Sequence, residues 1–290
     1  MKGAAWLVLL VAALLPAVQA EGLCVEQADG DTLCLDKPAQ RIVSLAPHLT
    51  EMLFAIGAQA QIAAVVDRSD HPPEALKLQS VGSYHKPDLE RMVSLRPDLV
   101  VAWKSGSPAA VVEPLRALGL QVLVTRGENL DDIPRELRAL GRLTGHEEAA
   151  EGAAMAFEGE LDTLRKAHEG KPVVSGFFEI WPHPLITVSD AHFIGQAMQV
   201  CGIRNIVGNT AQLTPTWSEE AVIRARPELL LISPPARQFE RWRRWKELPA
   251  VRNDLLVIMP PNVLMRPGPR LIEGVRALCD AADLARAVQP

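Results

Sequence analysis

Short apolar runs rich in β-branched residues alternate with amphipathic helical patterns through most of the chain, and this alternation constrains the fold more than any other feature. The predicted strands are 41–45, 62–66, 98–103, 121–125, 172–178, 228–233 and 255–259. The clearest helical patterns between them are 109–118, 130–143, 193–201 and 218–226. Strands separated by helices pair in parallel, and such sheets are covered on both faces. The sequence therefore predicts an α/β protein with mostly parallel sheets.

One long segment without a strand interrupts this alternation. Residues 146–169 contain no proline, and apolar residues recur there on one helical face: Ala150, Ala154, Phe157, Leu161 and Leu164. At 1.5 Å per residue such a helix is about 36 Å long, enough to pass from one domain to another. We therefore predict two α/β lobes, 21–144 and 171–290, joined by a single long backbone helix within 145–170.

The first twenty residues have the pattern of a secretory signal peptide. Lys2 precedes an apolar core at 4–15, and the small residues Val18 and Ala20 stand before the expected cleavage point. This core is too short for a comfortable membrane span, which takes about 20 residues. The residues before Cys24 lack the small residue that a lipoprotein signal needs. We expect residues 1–20 to be cleaved and the mature protein to be exported.

Charge and motifs exclude several classes of function. The chain has 30 basic and 35 acidic residues, and cleavage after Ala20 removes one lysine and no acid, which takes the formal net charge from −5 to −6. This balance does not predict a nucleic-acid partner. The sequence contains no G-x-S-x-G nucleophile elbow, no G-x-G-x-x-G loop and no Walker motif. An exported hydrolase and a phosphate-loop enzyme are therefore not favoured, and no enzyme activity is expected.

Four cysteines in an exported chain suggest two disulfides, for which three pairings exist. Cys24 and Cys34 flank the turn signal Asp29-Gly30-Asp31, which predicts a bridged hairpin. Cys201 and Cys279 would then form the second bridge. A zinc site needs paired spacings such as C-x-x-C, which the sequence lacks. Disulfides are therefore favoured over a bound metal.

Residues 88–101 and 218–231 repeat one pattern at an offset of 130 residues, without a gap. Each copy has a capping residue, an acid in the first helical turn, a short helix stopped by Arg-Pro, and a buried strand. The repeat places Glu90 and Glu220 at the same point in each lobe. An acid near a helix N-terminus is favourable by about 0.3–1 kcal/mol in any case, so this position alone does not assign a function.

An ordered series of phrases resembles the periplasmic metal-chelate binding proteins. The opening strand and helix carry RIVSLAP at 41–47, Thr50-Glu51 and Gly57. The phrases Ser69-Asp70-His71-Pro72-Pro73, Leu89-Glu90-Arg91, Arg96-Pro97-Asp98-Leu99-Val100 and Ala102-Trp103 are similar to those of the cobalamin-binding receptors that feed vitamin importers of Gram-negative bacteria. The match continues through Cys201-Gly202, Asn205-Ile206, Arg266, Pro269-Arg270 and Cys279, and covers about 41–285.

This resemblance implies a class III periplasmic binding protein, with two lobes on one rigid helix and the ligand in the cleft between them. It implies a bridge between Cys201 and Cys279, whereas Cys24 and Cys34 fall outside the shared pattern. It also implies a periplasmic monomer that docks on the permease dimer of an ABC importer through Glu90 and Glu220. The expected cargo is cobalamin or a related corrinoid, with no resident cofactor. The alternative is a haem or iron-siderophore receptor of the same fold.

The resemblance also assigns candidate ligand contacts. A corrinoid is a broad, mostly apolar macrocycle fringed with amides, so its pocket needs aromatic walls and a few aimed hydrogen bonds. The assigned residues are Arg68, His71, Tyr84, Trp103, Trp181, Asn262 and Arg266. A half-buried core residue is the alternative for Trp103, and a solvated loop charge is the alternative for Arg266.

Several of these positions depart from the family pattern. Arg68 and His71 replace two tyrosines, and Tyr84 and Thr214 each replace a tryptophan. Because the wall is more polar than the family pattern, cobalamin, a precursor corrinoid and another chelate all stay open. Direct metal ligation needs converging side chains that can lose a proton, and the spacing of His48, His71, His85 and His183 does not require it.

Overall fold

The computed structural model describes residues 22–107, 109–233 and 239–288. The predicted signal peptide, 1–20, lies outside these residues. The N-terminal lobe contains β1 Leu23–Glu26, β2 Thr32–Leu35, β3 Ile42–Ser44, α1 Pro47–Ala55, β4 Ile62–Val65, β5 Gly82–Ser83, β6 Lys86–Pro87, α2 Leu89–Ser94, β7 Leu99–Trp103, α3 Ala109–Ala117, β8 Val122–Thr125 and α4 Asp132–Thr144. A long helix follows, α5 Glu147–His168. The C-terminal lobe contains β9 Val174–Glu179, β10 Trp181–Pro182, β11 Leu185–Ile186, α6 Phe193–Val200, β12 Ile203–Asn205, α7 Glu219–Ala225, β13 Leu229–Ile232, α8 Phe239–Arg243, α9 Pro249–Arg252, β14 Leu256–Ile258, α10 Pro261–Leu264 and α11 Leu271–Ala287.

Each lobe is built around a four-stranded parallel sheet, which confirms the predicted α/β class. The strand order is β4-β3-β7-β8 in the N-terminal lobe and β12-β9-β13-β14 in the C-terminal lobe. Every pair of neighbours in these two sheets is parallel. All seven predicted strands are present, and β12 is a further strand that the sequence does not predict.

Alternate residues of each central strand face two different layers of helices. In β7, Leu99 and Val101 join one apolar cluster, whereas Val100 and Ala102 join another, as the two-residue period of a strand requires. The outer faces of the two sheets have separate clusters. The cluster on the side of α5 is continuous from one lobe to the other. The two sheets are therefore tied together through a shared apolar layer around this helix.

Helix α5 is the predicted connecting helix, with bounds that differ from the predicted 146–169 by one residue at each end. Its buried residues include Ala150, Ala154, Phe157 and Leu161, and Leu164 packs against the same cluster. The first turn carries Glu147 and Glu148 and the last turn carries basic residues, a distribution that complements the helix dipole. One apolar stripe thus holds the helix against both lobes.

Two disulfides have the pairing that the sequence predicts. Cys24 and Cys34 are cross-strand neighbours in the hairpin of β1 and β2, and Cys201, at the end of α6, is joined to Cys279 on α11. In the loop of this hairpin, Ala28 donates its backbone N–H to the Val124 carbonyl at 2.8 Å. This segment covers the edge strand β8, where backbone groups would otherwise lack partners. Among the described residues, no helix has both the length and the apolar character needed to cross a membrane.

Candidate ligand-binding site

Most of the predicted ligand contacts follow the carboxyl ends of the parallel strands. Arg68 comes after β4, Trp103 ends β7, and Trp181 follows β9. Asn262 and Arg266 follow β14. In open parallel sheets, ligands bind in the crevice outside the carboxyl ends of the strands. The fold therefore brings candidate residues of both lobes to the edges at which ligands bind in such sheets.

Trp103 is half-buried and held by several neighbours. Its indole Nε1 donates a hydrogen bond to the Arg126 carbonyl at 3.0 Å. The ring of His48 meets it edge-on, with ring centroids 5.0 Å apart and an angle of 85°. Such an edge-to-face contact stabilises one orientation of the indole. Trp103 is therefore a fixed aromatic surface at the end of its strand.

His48 lies beneath this tryptophan and is 2% exposed. Burial, together with a smaller effect of the positive charge of Arg266, lowers the pKa of His48 to about 3. The imidazole is therefore neutral at physiological pH. Among the described residues, its Nε2 has no hydrogen-bond partner.

Arg266 lies in the C-terminal lobe, and its side chain contacts residues of the N-terminal lobe. Its Nη1 donates to Glu51 Oε1 at 2.9 Å and to Asp70 Oδ1 at 2.7 Å. Its Nη2 donates to the Arg68 carbonyl at 3.1 Å. We call Arg266, Glu51 and Asp70 the lobe-bridging cluster. These contacts orient the guanidinium, and its predicted contact with the ligand stays a prediction.

Burial sets the electrostatics of the lobe-bridging cluster. Glu51 is 4% exposed, and burial raises its pKa despite the charges of Arg266 and Arg270. The hydrogen bond from Arg266 lowers the pKa of the better hydrated Asp70. The arginine thus compensates a buried carboxylate of the other lobe, and loss of one partner from such a pair is costly.

A cavity of about 450 Å³ lies between the two lobes beside this cluster. Its lining includes Glu51, Phe54, His71 and Pro72 from the N-terminal lobe and Arg270 from the C-terminal lobe. His71 is therefore the one predicted ligand contact that lines this cavity. The volume is within the range of small-molecule pockets.

Two short hairpins carry the remaining aromatic candidates. Tyr84 lies in the turn between β5 and β6, is 36% exposed, and has its ring centroid 3.8 Å from that of His85. Trp181 begins the hairpin of β10 and β11 and is 55% exposed. Its indole N–H donates to the His183 carbonyl at 3.1 Å. Arg68 and Asn262 are also exposed, so these four side chains are accessible to a ligand.

The repeat is built in the same way in both lobes. Asp88 caps α2 by accepting the Arg91 N–H at 3.0 Å, and Ser218 caps α7 by accepting the Ala221 N–H at 3.2 Å. Glu90 and Glu220 stand in the first turns of these helices, and both are exposed. The two glutamates are thus equivalent surface groups, one on each lobe.

Several polar residues that organise the cleft are not predicted as functional by the sequence. Gln196 on α6 donates to Asn129 Oδ1 at 2.8 Å and accepts the Leu130 N–H at 3.0 Å, which forms a second polar link between the lobes. Glu179 ends β9, is fully buried, and accepts the Trp242 indole N–H at 2.6 Å. A glutamate inside an apolar strand, as in Gly176-Phe177-Phe178-Glu179, is the signal that could have identified it.

Within 22–107, 109–233 and 239–288, no group of three or more His, Cys, Asp or Glu residues is arranged to hold a metal ion. The histidines lie at separate places: His48 is buried, His85 is beside Tyr84, and His183 follows Trp181 in its hairpin.

Two parallel-sheet lobes on one helix, with accessible aromatic and polar side chains beyond their strand ends, define a two-lobed small-molecule binding protein. A sequence model described as periplasmic binding protein matches residues 42–263. The vitamin B12-binding protein of Vibrio cholerae serotype O1 (strain El Tor Inaba N16961) is 32% identical over 251 residues, which is 86% of this chain and 91% of the relative. That of Pectobacterium carotovorum subsp. carotovorum is 36% identical over 243 residues, 83% and 87% of the two chains. The chain belongs to the periplasmic binding protein family.

Solved structures show the same architecture. The crystal structure of the periplasmic vitamin B12 binding protein BtuF of Vibrio cholerae matches with a TM-score of 0.79 and 32% identity, over 87% of this chain and 99% of that one. The apo form of the periplasmic heme-binding protein RhuT from Roseiflexus sp. RS-1 matches with a TM-score of 0.74, over 84% and 99% of the two chains. Because its identity is only 23%, that second likeness shows the fold alone. The architecture is that of class III periplasmic binding proteins.

Proposed function

We propose that this protein captures cobalamin or a related corrinoid between its two lobes and delivers it to an ABC importer. The observation that carries this proposal is the similarity, at 32–36% identity over most of the chain, to proteins named for vitamin B12 binding. The exposed aromatic and polar side chains beyond the strand ends of both lobes support it. Because the architecture is that of a binding protein, we infer that no catalysis is involved.

The side chains of the cleft suit the chemistry of a corrinoid. Trp103, Tyr84 and Trp181 offer flat apolar surfaces for a broad ring. Arg68, His71, Asn262 and Arg266 offer donors for the amide-rich edge of the ring. Arg68 and Asn262 are the exposed members of this polar set, so we infer that they contribute most to the choice among corrinoids.

A haem or iron-siderophore cargo is the second candidate. The observation that favours it is the contact between Tyr84 and His85, because Tyr and His are the side chains that ligate haem iron in many proteins. The heme-binding proteins of known structure from Roseiflexus and Pseudomonas aeruginosa match at 23% identity, which shows the fold alone, whereas relatives named for vitamin B12 match at 31–36%. We therefore favour the corrinoid.

The two cargoes give different optical results. We expect cyanocobalamin to quench the tryptophan fluorescence of the protein, because its ring would lie beside Trp103 and Trp181. Hemin should give no Soret shift that depends on Tyr84. Two results together would establish the haem function instead. The first is a Soret band that appears on adding hemin and is lost in Tyr84→Ala, and the second is tryptophan fluorescence that cyanocobalamin does not quench.

Delivery is proposed to use Glu90 and Glu220 as the docking groups for arginines of the two permease subunits. We expect the double variant Glu90→Lys/Glu220→Lys to lower affinity for the permease dimer by at least about tenfold, because charge reversal at an interface is repulsive. Affinity for cyanocobalamin should not change, since neither glutamate is among the predicted ligand contacts. The measurement is binding of the loaded receptor to the permease in detergent.

The matched control is Glu113→Lys/Glu148→Lys, which makes the same charge change at two exposed positions on other helices. Equal weakening by both double variants would show a general effect of net charge and would exclude docking through Glu90 and Glu220.

We also propose that the protein reaches the periplasm through a cleaved signal peptide at 1–20 and acts there as a monomer. The lobes would then comprise 21–144 and 171–290, on either side of a connecting segment at 145–170. The two disulfides support this location, because structural disulfides persist in oxidising compartments.

A further inference from the structure

Trp103 is tied to a buried carboxylate that lies outside the predicted set of ligand contacts. Glu136 on α4 accepts two backbone N–H groups with its Oε1, from Arg126 at 2.7 Å and from Gly127 at 2.8 Å. The carbonyl of the same Arg126 accepts the indole N–H of Trp103 at 3.0 Å. A continuous path of three hydrogen bonds therefore leads from a helix behind the sheet to a wall of the cleft.

Two glycines fix the indole at close range along this path. A Cβ at Gly127 would lie 2.7 Å from Trp103 Nε1, and this glycine has a φ of +57°. A Cβ at Gly106 would overlap the six-membered ring of the indole. Because packed interiors leave little free volume, a displacement of backbone this close to the indole would displace the indole as well. The position of the 126–127 backbone thus determines where the indole lies.

Glu136 is a carboxylate at a buried position of helix α4. Its residue surface is 6% exposed, and its Oε2 has no hydrogen-bond partner among the described residues. It lies one residue before Leu137 on the buried face of α4 that also contains Ile133 and Leu140. A buried carboxylate is costly unless hydrogen bonds compensate it, and here both compensating donors belong to the loop beneath Trp103.

We propose that Glu136 is a positioning residue, which fixes the 126–127 backbone and through it sets the orientation of Trp103 as a wall of the cleft. The carboxyl group contacts no ligand. This inference rests on the proposed function for its consequence in binding, but its structural part is independent of any ligand.

A change in the protonation state of Glu136 should be detectable at Trp103 if the two residues are linked by this path of hydrogen bonds. Burial raises the pKa of Glu136 to about 8, against the two backbone N–H groups that lower it. The charged groups around it are Asp132 and Arg135 on the same helix, and Glu26 and Arg126 across a cavity of about 320 Å³. Ionisation strengthens hydrogen bonds to the charged oxygen. The Trp103 indole should therefore sense a titration near pH 8.

The test is an NMR titration of the unliganded protein that follows the indole N–H resonance of Trp103, assigned by its loss in Trp103→Phe. In the wild type we expect this resonance to shift with a midpoint near pH 8. In Glu136→Gln, which keeps a carbonyl acceptor and cannot ionise, the shift should disappear while the resonance stays close to its position at pH 7. The matched control Glu148→Gln removes an exposed carboxylate and should leave the titration intact.

Two outcomes would overturn the proposal. One is a Trp103 resonance that does not titrate in the wild type between pH 3 and 10, a range that covers both an ordinary and a raised carboxyl pKa. The other is the same titration in Glu136→Gln, which would assign the signal to another group. Because Glu136→Gln retains a hydrogen-bonding acceptor at this position, these measurements do not depend on the folding of a variant that lacks one.

The consequence for binding is measured separately. Glu136→Leu should weaken cyanocobalamin binding by at least about tenfold, whereas Glu136→Gln should stay within about threefold of the wild type at pH 7. If the indole responds as expected and no form of the protein binds cyanocobalamin, the positioning role stands and the proposed function fails. If Glu136→Leu folds and binds as tightly as the wild type, the positioning role has no bearing on binding and is rejected.

Discussion

Replacing Arg266 with methionine should lower the free energy of unfolding by about 3 kcal/mol. The side chain of Arg266 is 13% exposed and pairs with Glu51, whose side chain is 3% exposed. Without Arg266, Glu51 loses its hydrogen-bonded partner and keeps only the more distant Arg270, whose Nη1 lies 3.7 Å from Oε1. The buried carboxylate must then either stay charged with weaker compensation or take up a proton, and both cost free energy. Breaking a buried ion pair by removing one partner typically costs 3–5 kcal/mol. Urea denaturation monitored by circular dichroism measures this loss.

Two further variants separate the ion pair from other effects. Arg252→Met removes an exposed arginine that pairs with no carboxylate among the described residues, and it should change stability by less than about 0.5 kcal/mol. Glu51→Leu/Arg266→Met removes both buried charges and should be more stable than Arg266→Met alone. If the double variant is instead less stable than the single one, the cost does not come from an uncompensated Glu51.

Removing the bridge between Cys201 and Cys279 should have an effect of similar size. The double variant Cys201→Ala/Cys279→Ala opens a loop of 78 residues, and chain entropy predicts a loss of about 4 kcal/mol. Both cysteines are buried where α6 meets α11, so the bridge also holds together the helical layer of the C-terminal lobe. The free energy of unfolding in the absence of reductant is the measurement.

The second disulfide provides the comparison. Cys24→Ala/Cys34→Ala opens a loop of only 10 residues, for which the same relation predicts about 3 kcal/mol. The hairpin that it closes lies at the edge of the N-terminal sheet rather than inside a lobe. A larger loss for the Cys24 pair than for the Cys201 pair would contradict the entropic account.

The regular core of the fold follows from local sequence patterns. The strand at 98–103 is predicted because a run of Leu and Val fits a strand buried on both faces, and it is observed as Leu99–Trp103. The apolar stripe of 150–164 predicts α5 to within one residue at each end. The strand Ile203–Asn205 is missed because three residues with a charged centre give too short a pattern. The two-residue hairpin strands at 82–87 and 181–186 are missed for the same reason.

The contacts that organise the cleft do not follow from local patterns. Arg266 and Glu51 are 215 residues apart in sequence, so only the tertiary structure brings them together. The family resemblance implies a position for Arg266 at the cleft, but the sequence does not indicate which carboxylates hold it. Glu136 could have been noticed as a charged residue on the buried stripe of α4, beside Ile133 and Leu137. Its role in holding the loop under Trp103 could not be inferred without the backbone of that loop.

The most direct test of the corrinoid-receptor function is a calorimetric titration with cyanocobalamin, at micromolar protein, of the protein from residue 21 onward, which is the mature form that we propose. The lobes, the aromatic walls and the vitamin B12-binding relatives lead us to expect saturable heat with one ligand per protein and a dissociation constant in the micromolar range or tighter. A flat trace from folded protein, with saturable binding of hemin under the same conditions, would contradict the corrinoid assignment.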